Sequence, residues 1–200
     1  MIIVAEGPTA VGKSHYVGNL PSSQLVGETP GHVRPHDAAD SDEASRFWVR
    51  CNEERWAEAL GREGDQGRAV CDTDPLKLHF AWTLARASLY PTADEFVRQL
   101  RTTRSAIGRK TLGIADLVAC VILPEAVLRQ QRMRDFSRRR RNFEVHVLLA
   151  EPLREWYAAL DSVDPGRVVW QWPDDSFRDD RRERYDLDLF DTWMSRLPSL

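Results

Sequence analysis

The sequence predicts an α/β fold: a parallel sheet of about five strands with helices on both faces and an arginine-rich lid. Three observations carry that reading. Short β-prone runs alternate with longer stretches of helical periodicity along the chain. One run, IADLVACVIL, is continuously apolar, as a strand buried on both faces must be. The first run also leads directly into a glycine-bounded loop and then a helix, an order suited to parallel crossovers.

Taken in order, residues 2–6 (IIVAE) are the first strand and residues 13–20 a short helix stopped by Pro21. Residues 24–27 are a second strand candidate. The Gly-, Pro-, His- and Asp-rich stretch ETPGHVRPHDAADSD has no periodicity and reads as a loop. Ser41 or Asp42 can cap a helix through EASRFWVRCNEERWAEAL, which GREGDQGR then ends. Residues 68–72 (RAVCD) form the next strand, and Pro75 is placed to open the following helix. Another helix runs from Pro91 and Thr92 to about Ile107, before the apolar strand that stops at Pro124. Helical patterning, broken by RQQRMRDFSRRRRNFE, continues to about Leu160. RVVWQW is the last strand, and RRERYDLDLFDTWMSRL a terminal amphipathic helix. No repeat or low-complexity linker appears, so residues 1–200 are read as one domain.

Two hundred residues with 42% hydrophobic content suffice for a single core. A net charge of −3 excludes an overall basic field that would draw the chain to nucleic acid or anionic membrane. The three cysteines, Cys51, Cys71 and Cys120, lie far apart without CxxC spacing, which argues against a disulfide framework or zinc site and fits a reducing cytoplasm. No apolar run approaches the about 18 residues of a membrane span, and no cleavable leader is evident, so a cytoplasmic protein is expected. Of the 28 basic residues only Lys13, Lys77 and Lys110 are lysine, so arginine runs carry less weight than usual and Lys13 more.

Gly7 to Ser14 read GxxxxGKS, the phosphate-cradling P-loop pattern. A triphosphate is a dense anion, and a tight glycine loop at a helix start turns backbone N–H groups toward it. Gly7, Thr9, Ala10, Val11, Gly12, Lys13 and Ser14 are therefore the expected nucleotide-binding residues. Lys13 would bridge the β- and γ-phosphates of ATP, and Ser14 would place its hydroxyl on Mg²⁺.

The motif by itself gives nucleotide binding, not reaction type. No guanine-reading NKxD, no LSGGQ-like signature and no room for a helical lid domain are present, which leaves a compact kinase-like branch. VCDTDP places Asp72 and Asp74 at the carboxyl edge of a parallel strand, where open α/β sheets bind ligands. One carboxylate would bind Mg²⁺ or accept the proton of an attacking hydroxyl, and the other would hold substrate hydroxyls. Asp74 has a second reading, as the cap of the helix after Pro75. With GxxxxGKS, this DTD resembles the nicotinamide riboside kinase domain of bifunctional NAD-salvage regulators, and more loosely the nucleoside and nucleotide kinases. The resemblance implies roles for Asp72 and Asp74 in an acidic motif, followed by an arginine lid. It does not extend to residues 28–60, where an acceptor would be chosen, so no substrate carries over.

The lid is expected at about residues 126–145, with Arg129, Arg132 and Arg138 as catalytic candidates among Arg129, Arg132, Arg134 and Arg138 to Arg141; a solvated helix face and a nucleic-acid patch are the other readings. Trp48, Asn52, Arg55 and Trp56 share one helix face by spacing. The first three are candidates for the acceptor pocket, Trp56 for the core, and Arg50 and His36 are further candidates from the same region. His79 and His146 read as surface or satisfied core histidines. The resemblance also implies that QWPDD lies where the adenine is seated. The expected function is an ATP- and Mg²⁺-dependent kinase for a nucleoside-like or other small hydroxyl or phosphate acceptor, acting as a monomer or homodimer. The alternatives are a nucleotide-gated ATPase or regulator without such an acceptor, and a nucleic-acid 5′-end kinase.

Overall fold

Among the residues that the computed structural model describes (1–28, 41–89, 92–134, 142–173 and 180–200), five strands form one parallel sheet. They are β1 (Ile2–Glu6), β2 (Leu25–Val26), β3 (Ala69–Asp72), β4 (Leu117–Cys120) and β5 (Val168–Val169), in the order β2-β3-β1-β4-β5. The helices are α1 (Lys13–Gly18), α2 (Ser41–Gln66), α3 (Leu78–Arg86), α4 (Ala93–Gly108), α5 (Glu125–Arg134), α6 (Phe143–Leu148), α7 (Ala150–Val163) and α8 (Leu187–Arg196). No described helix is long and apolar enough to cross a membrane.

Connection handedness accounts for the layers. The β1-α1-β2 step runs one way along the sheet and every later step runs the other way, so right-handed crossovers put α1 on one face and the longer helices on the opposite face. The pleat sorts side chains accordingly. Ile2, Val4, Cys71 and Val118 enter a large core with Trp56, Trp82, Trp156 and Trp193, all four tryptophans at most 1% exposed. Ile3, Val70 and Leu117 face the other way, toward Tyr16 and Leu20. The expectation of cover on both faces holds, with unequal thickness. Each buried tryptophan removes about 150–250 Å² from water, and Trp156 and Trp193 meet edge to face at 4.9 Å.

Several boundaries move, each for a long-range reason. α2 continues through GREGDQ to Gln66, because Arg62 donates to the carbonyls of Ser22 and Ser23 and Glu63 pairs with Arg184. The helix after Pro75 begins only at Leu78: Asp74 Oδ1 accepts from the Leu76 N–H and Asp74 O from the Lys77 N–H, which makes residues 74–77 a turn. Of IADLVACVIL only Leu117–Cys120 pairs as strand, and of RVVWQW only Val168–Val169. The C-terminal helix starts at Leu187, because Arg182 and Arg184 upstream are drawn to Asp164, Asp116 and Glu63. Asp186 then caps it through the N–H groups of Asp188 and Leu189.

Candidate functional site

The carboxyl ends of β1 and β3 open onto one cleft of about 500 Å³. The strand order explains the place: the connection leaving β1 runs one way along the sheet and the connection leaving its neighbour β3 runs the other, and ligands in open α/β sheets bind outside the carboxyl ends at such a point. Gly7, Thr9, Ala10, Val11, Gly12, Lys13, Ser14 and Asp72, all expected site residues, line it. The loop needs backbone that few residues accept, with φ of 152° at Gly7, 68° at Ala10 and 96° at Gly12. It is seated from below by apolar anchors: the Ala10 and Val11 side chains pack with Val121, Leu128, Phe143 and Val147. Those two residues can therefore serve a ligand only through their backbone. α1, which follows, has just six residues, so its dipole adds little and Lys13 carries most of the local positive charge.

Lys13 is held by three oxygens. Its Nζ donates to Thr73 Oγ1 at 2.6 Å and lies 3.3 Å from Asp72 Oδ1 and 3.9 Å from Glu6 Oε1. Burial works against its charge, but Glu6 and Asp72 outweigh burial and keep the ammonium above its ordinary pKa. Asp72 Oδ1 is buried and accepts no hydrogen bond, so despite its nearness to Lys13 it retains capacity for a hydroxyl or a cation. Thr73, at φ 82°, is a β-branched residue in left-handed backbone, where strain gathers at functional turns. Among the described residues no cluster of three or more His, Cys, Asp or Glu side chains can hold a metal. Ser14 and Asp72, the expected Mg²⁺ ligands, would thus need phosphate oxygens to complete the ion's shell, which is how Mg²⁺ is usually held.

Glu6 was not among the expected site residues. It is 4% exposed, accepts from the Gly7 N–H at 3.0 Å through Oε1 and from the Asp74 N–H at 3.1 Å through Oε2, and so ties the glycine loop to the DTD turn. Burial alone would raise its pKa; Lys13, His79 and the two N–H groups reverse this and hold it below the ordinary value. A charged residue closing the apolar run IIVAE, directly before the first glycine, is the sequence signal for it.

Asp74, Asn52 and Arg55 do not line the cleft; they build the turn beneath it. Asp74 is 4% exposed and accepts from the Leu76 N–H and the Tyr157 hydroxyl, while burial pushes its carboxyl up to about 6. Asn52 donates to Leu76 O at 3.1 Å. Arg55 donates to the carbonyls of Gly27, Asp72 and Thr73. Trp56 is in the core, where its indole N–H reaches Tyr185 Oη, and Trp48 is exposed, with its ring against Phe47. Arg50 lies in a separate groove.

The rest of the cleft wall comes from α3, α6, α7 and the α6–α7 junction: His79, Phe80, Thr83, His146, Leu149 and Leu153. Phe80 and His146 stack at 6.3 Å. His79 is buried, its Nδ1 has no partner, and burial lowers its pKa to about 4, so it faces the cleft neutral. The spacing of His79, Phe80 and Thr83 within LHFAWT, right after the DTD turn, is the signal that would have found this face.

Arg129 and Arg132 are exposed and engaged elsewhere. Arg129 pairs with Glu125 and Glu144, and Arg132 pairs with Glu144 and lies 4.4 Å from the Phe143 ring centre. Neither lines the cleft, and Arg134 does not either. Arg138 to Arg141, His36, Pro91 and the two aspartates of QWPDD lie outside the described residues. Trp172, from the same stretch, stacks on Tyr16 at 4.9 Å beside α1. No family model matches the chain, and no curated protein matches it in sequence.

Proposed function

We propose that this chain is a small-molecule kinase that transfers the γ-phosphoryl of ATP to a hydroxyl on a small, nucleoside-like acceptor, in the manner of the P-loop kinases that its motifs resemble. The observation that carries the reading is the meeting of Lys13 with Asp72 and Thr73: a lysine on a phosphate loop, 3.3 Å from a carboxylate oxygen that accepts no hydrogen bond, at the edge of the sheet. In this reading the loop amides and Lys13 bind the triphosphate. Mg²⁺, held by Ser14 and phosphate oxygens, would neutralise charge on the transferred group. The acceptor's ring lies against Phe80 and His146, with His79 Nδ1 and Thr83 available to its polar groups. The acceptor oxygen forms a bond to the γ-phosphorus, the bond from that phosphorus to the bridging oxygen of ADP breaks, and Asp72 takes the hydroxyl proton.

The test is ADP release from ATP and Mg²⁺ against nucleosides, nucleoside monophosphates, ribosylated cofactor precursors and oligonucleotide 5′-ends. One small molecule should stimulate turnover and yield a phosphorylated product. Asp72→Asn should then lower kcat by at least about 100-fold, the scale of a lost general base, while ATP affinity stays within threefold. A slow, unstimulated rate across the panel would overturn the kinase reading in favour of a nucleotide switch.

A further inference from the structure

A second groove of about 650 Å³ runs between α2 and α4, separate from the phosphate cleft. Its walls carry five arginines, Arg46 and Arg50 from α2 with Arg98, Arg101 and Arg109 from the α4 side, against only Asp42 and Glu53. Several exposed arginines elsewhere close on carboxylates, Arg62 on Glu58, Arg86 on Glu155 and Arg104 on Asp191, while among the described residues Arg134 and Arg196 stand alone rather than in a group. Within the groove, Arg109 closes on Glu53 at 2.9 Å and Arg98 reaches Glu95 only at 3.8 Å, leaving its buried Nε without a hydrogen-bond acceptor. Among the described residues Arg46, Arg50 and Arg101 have no carboxylate partner at all. An arginine-rich composition accounts for many arginines, but not for unpaired ones converging from two helices. Arg46 and Arg50, one helical turn apart, repel each other, so the fold is less stable for keeping them together.

We infer that this groove is an anion site for a small molecule bearing several phosphoryl groups in series. Guanidinium forks grip phosphoryl oxygens two at a time, and the groove offers such forks from both walls at helical-turn spacing. Thr102 and Ser105 on α4 add hydroxyl donors. Among the described residues no aromatic side chain lines the groove, so nucleobases have no ring there to stack on, and a net charge of −3 gives no long-range attraction for a nucleic-acid strand. Those two facts favour a compact polyphosphate over RNA or DNA. The inference does not rest on the kinase reading.

Inorganic tripolyphosphate is the probe, titrated calorimetrically into full-length Lys13→Ala protein so that the phosphate loop is weakened. Binding should persist there, and adding Arg46→Ala, Arg50→Ala and Arg101→Ala together should weaken it at least tenfold. Because the three arginines repel one another, the triple variant should melt no lower than its parent; Arg101→Gln alone, expected to weaken binding at least threefold, serves should the triple variant fail to fold. Equal affinity with and without these arginines would overturn the site. Tighter, salt-sensitive binding of a twelve-nucleotide strand at the same arginines would overturn the small-anion assignment.

Discussion

Gly7 sits at φ 152°, and a Cβ there would lie 2.5 Å from Val121 O and 2.9 Å from Val11 Cγ1. The first of these is backbone of β4's exit, which cannot swing aside as a side chain can. Gly7→Ala should therefore destabilise the fold by about 1–3 kcal/mol and, on the proposed kinase function, weaken nucleotide binding, measured by urea titration and by nucleotide titration of the folded protein. Gly12→Ala meets no atom within 4 Å and should disturb packing less, though its φ of 96° still costs backbone strain. That Lys13 and Asp72 share one cleft is legible in the sequence because each is marked by its immediate neighbours, a spaced glycine pair and a strand end. The places of Glu6 and Thr73 in it are not, because their roles consist of contacts to Asp74 and Lys13 brought in by the sheet.

At the scale of elements, the end of α2, the start of β4 and the segment before α8 are fastened by one arginine. Arg184 donates to Glu63 at 2.7 and 2.6 Å and to Asp116 at 2.9 and 2.5 Å. Asp116 is 1% exposed and also accepts from the N–H groups of Ile2 and Arg182. The salt-bridged Glu63 is pulled down to about 2 by the Arg184 hydrogen bonds, against burial. Arg184→Ala would leave the buried Asp116 carboxylate without its cation, while Glu63 keeps the Met1 ammonium and Arg181, and should cost about 3–5 kcal/mol, read from the urea midpoint. Adding Asp116→Asn should recover part of that loss, since it removes the stranded charge. This clasp is also why α2 runs past the two glycines that sequence patterning took as its end.

For the molecule as a whole, two buried groups beneath the cleft give opposite pH dependences. His79 is lowered from 6.5 to about 4, so the unfolded chain binds more protons between those values and stability falls as pH drops from 6.5 to 4. Asp74 is raised from 3.8 to about 6, so its contribution is full below 3.8 and is lost as pH rises through 6. Each swing is worth about 3 kcal/mol, and over pH 4–6 they nearly cancel. Asp74→Asn keeps the shape and an acceptor for the Leu76 N–H but removes one swing. Relative to wild type, its stability should rise with pH by up to about 3 kcal/mol between pH 4 and 6.5, followed by denaturant midpoints across that range. A difference between the two proteins that does not change with pH would contradict this assignment.

The sequence by itself determined the alternation of strand and helix, the glycine-bounded loop after the first strand and the acidic strand end, because each is written in contiguous residues whose spacing acts locally. Only the tertiary structure decided which other residues share the cleft. It put His79, Phe80 and His146 opposite the loop, turned Asn52, Arg55 and Asp74 into supports for the DTD turn, engaged Arg129 with Glu125 and Glu144, and gathered unpaired arginines between α2 and α4. The physical reason is separation along the chain. Arg55 meets its carbonyl 17 residues away, Asp74 its tyrosine 83 away, and Arg184 its glutamate 121 away. A side chain's charge and partners are set by what the sheet order brings beside it, and no local pattern encodes that order residue by residue.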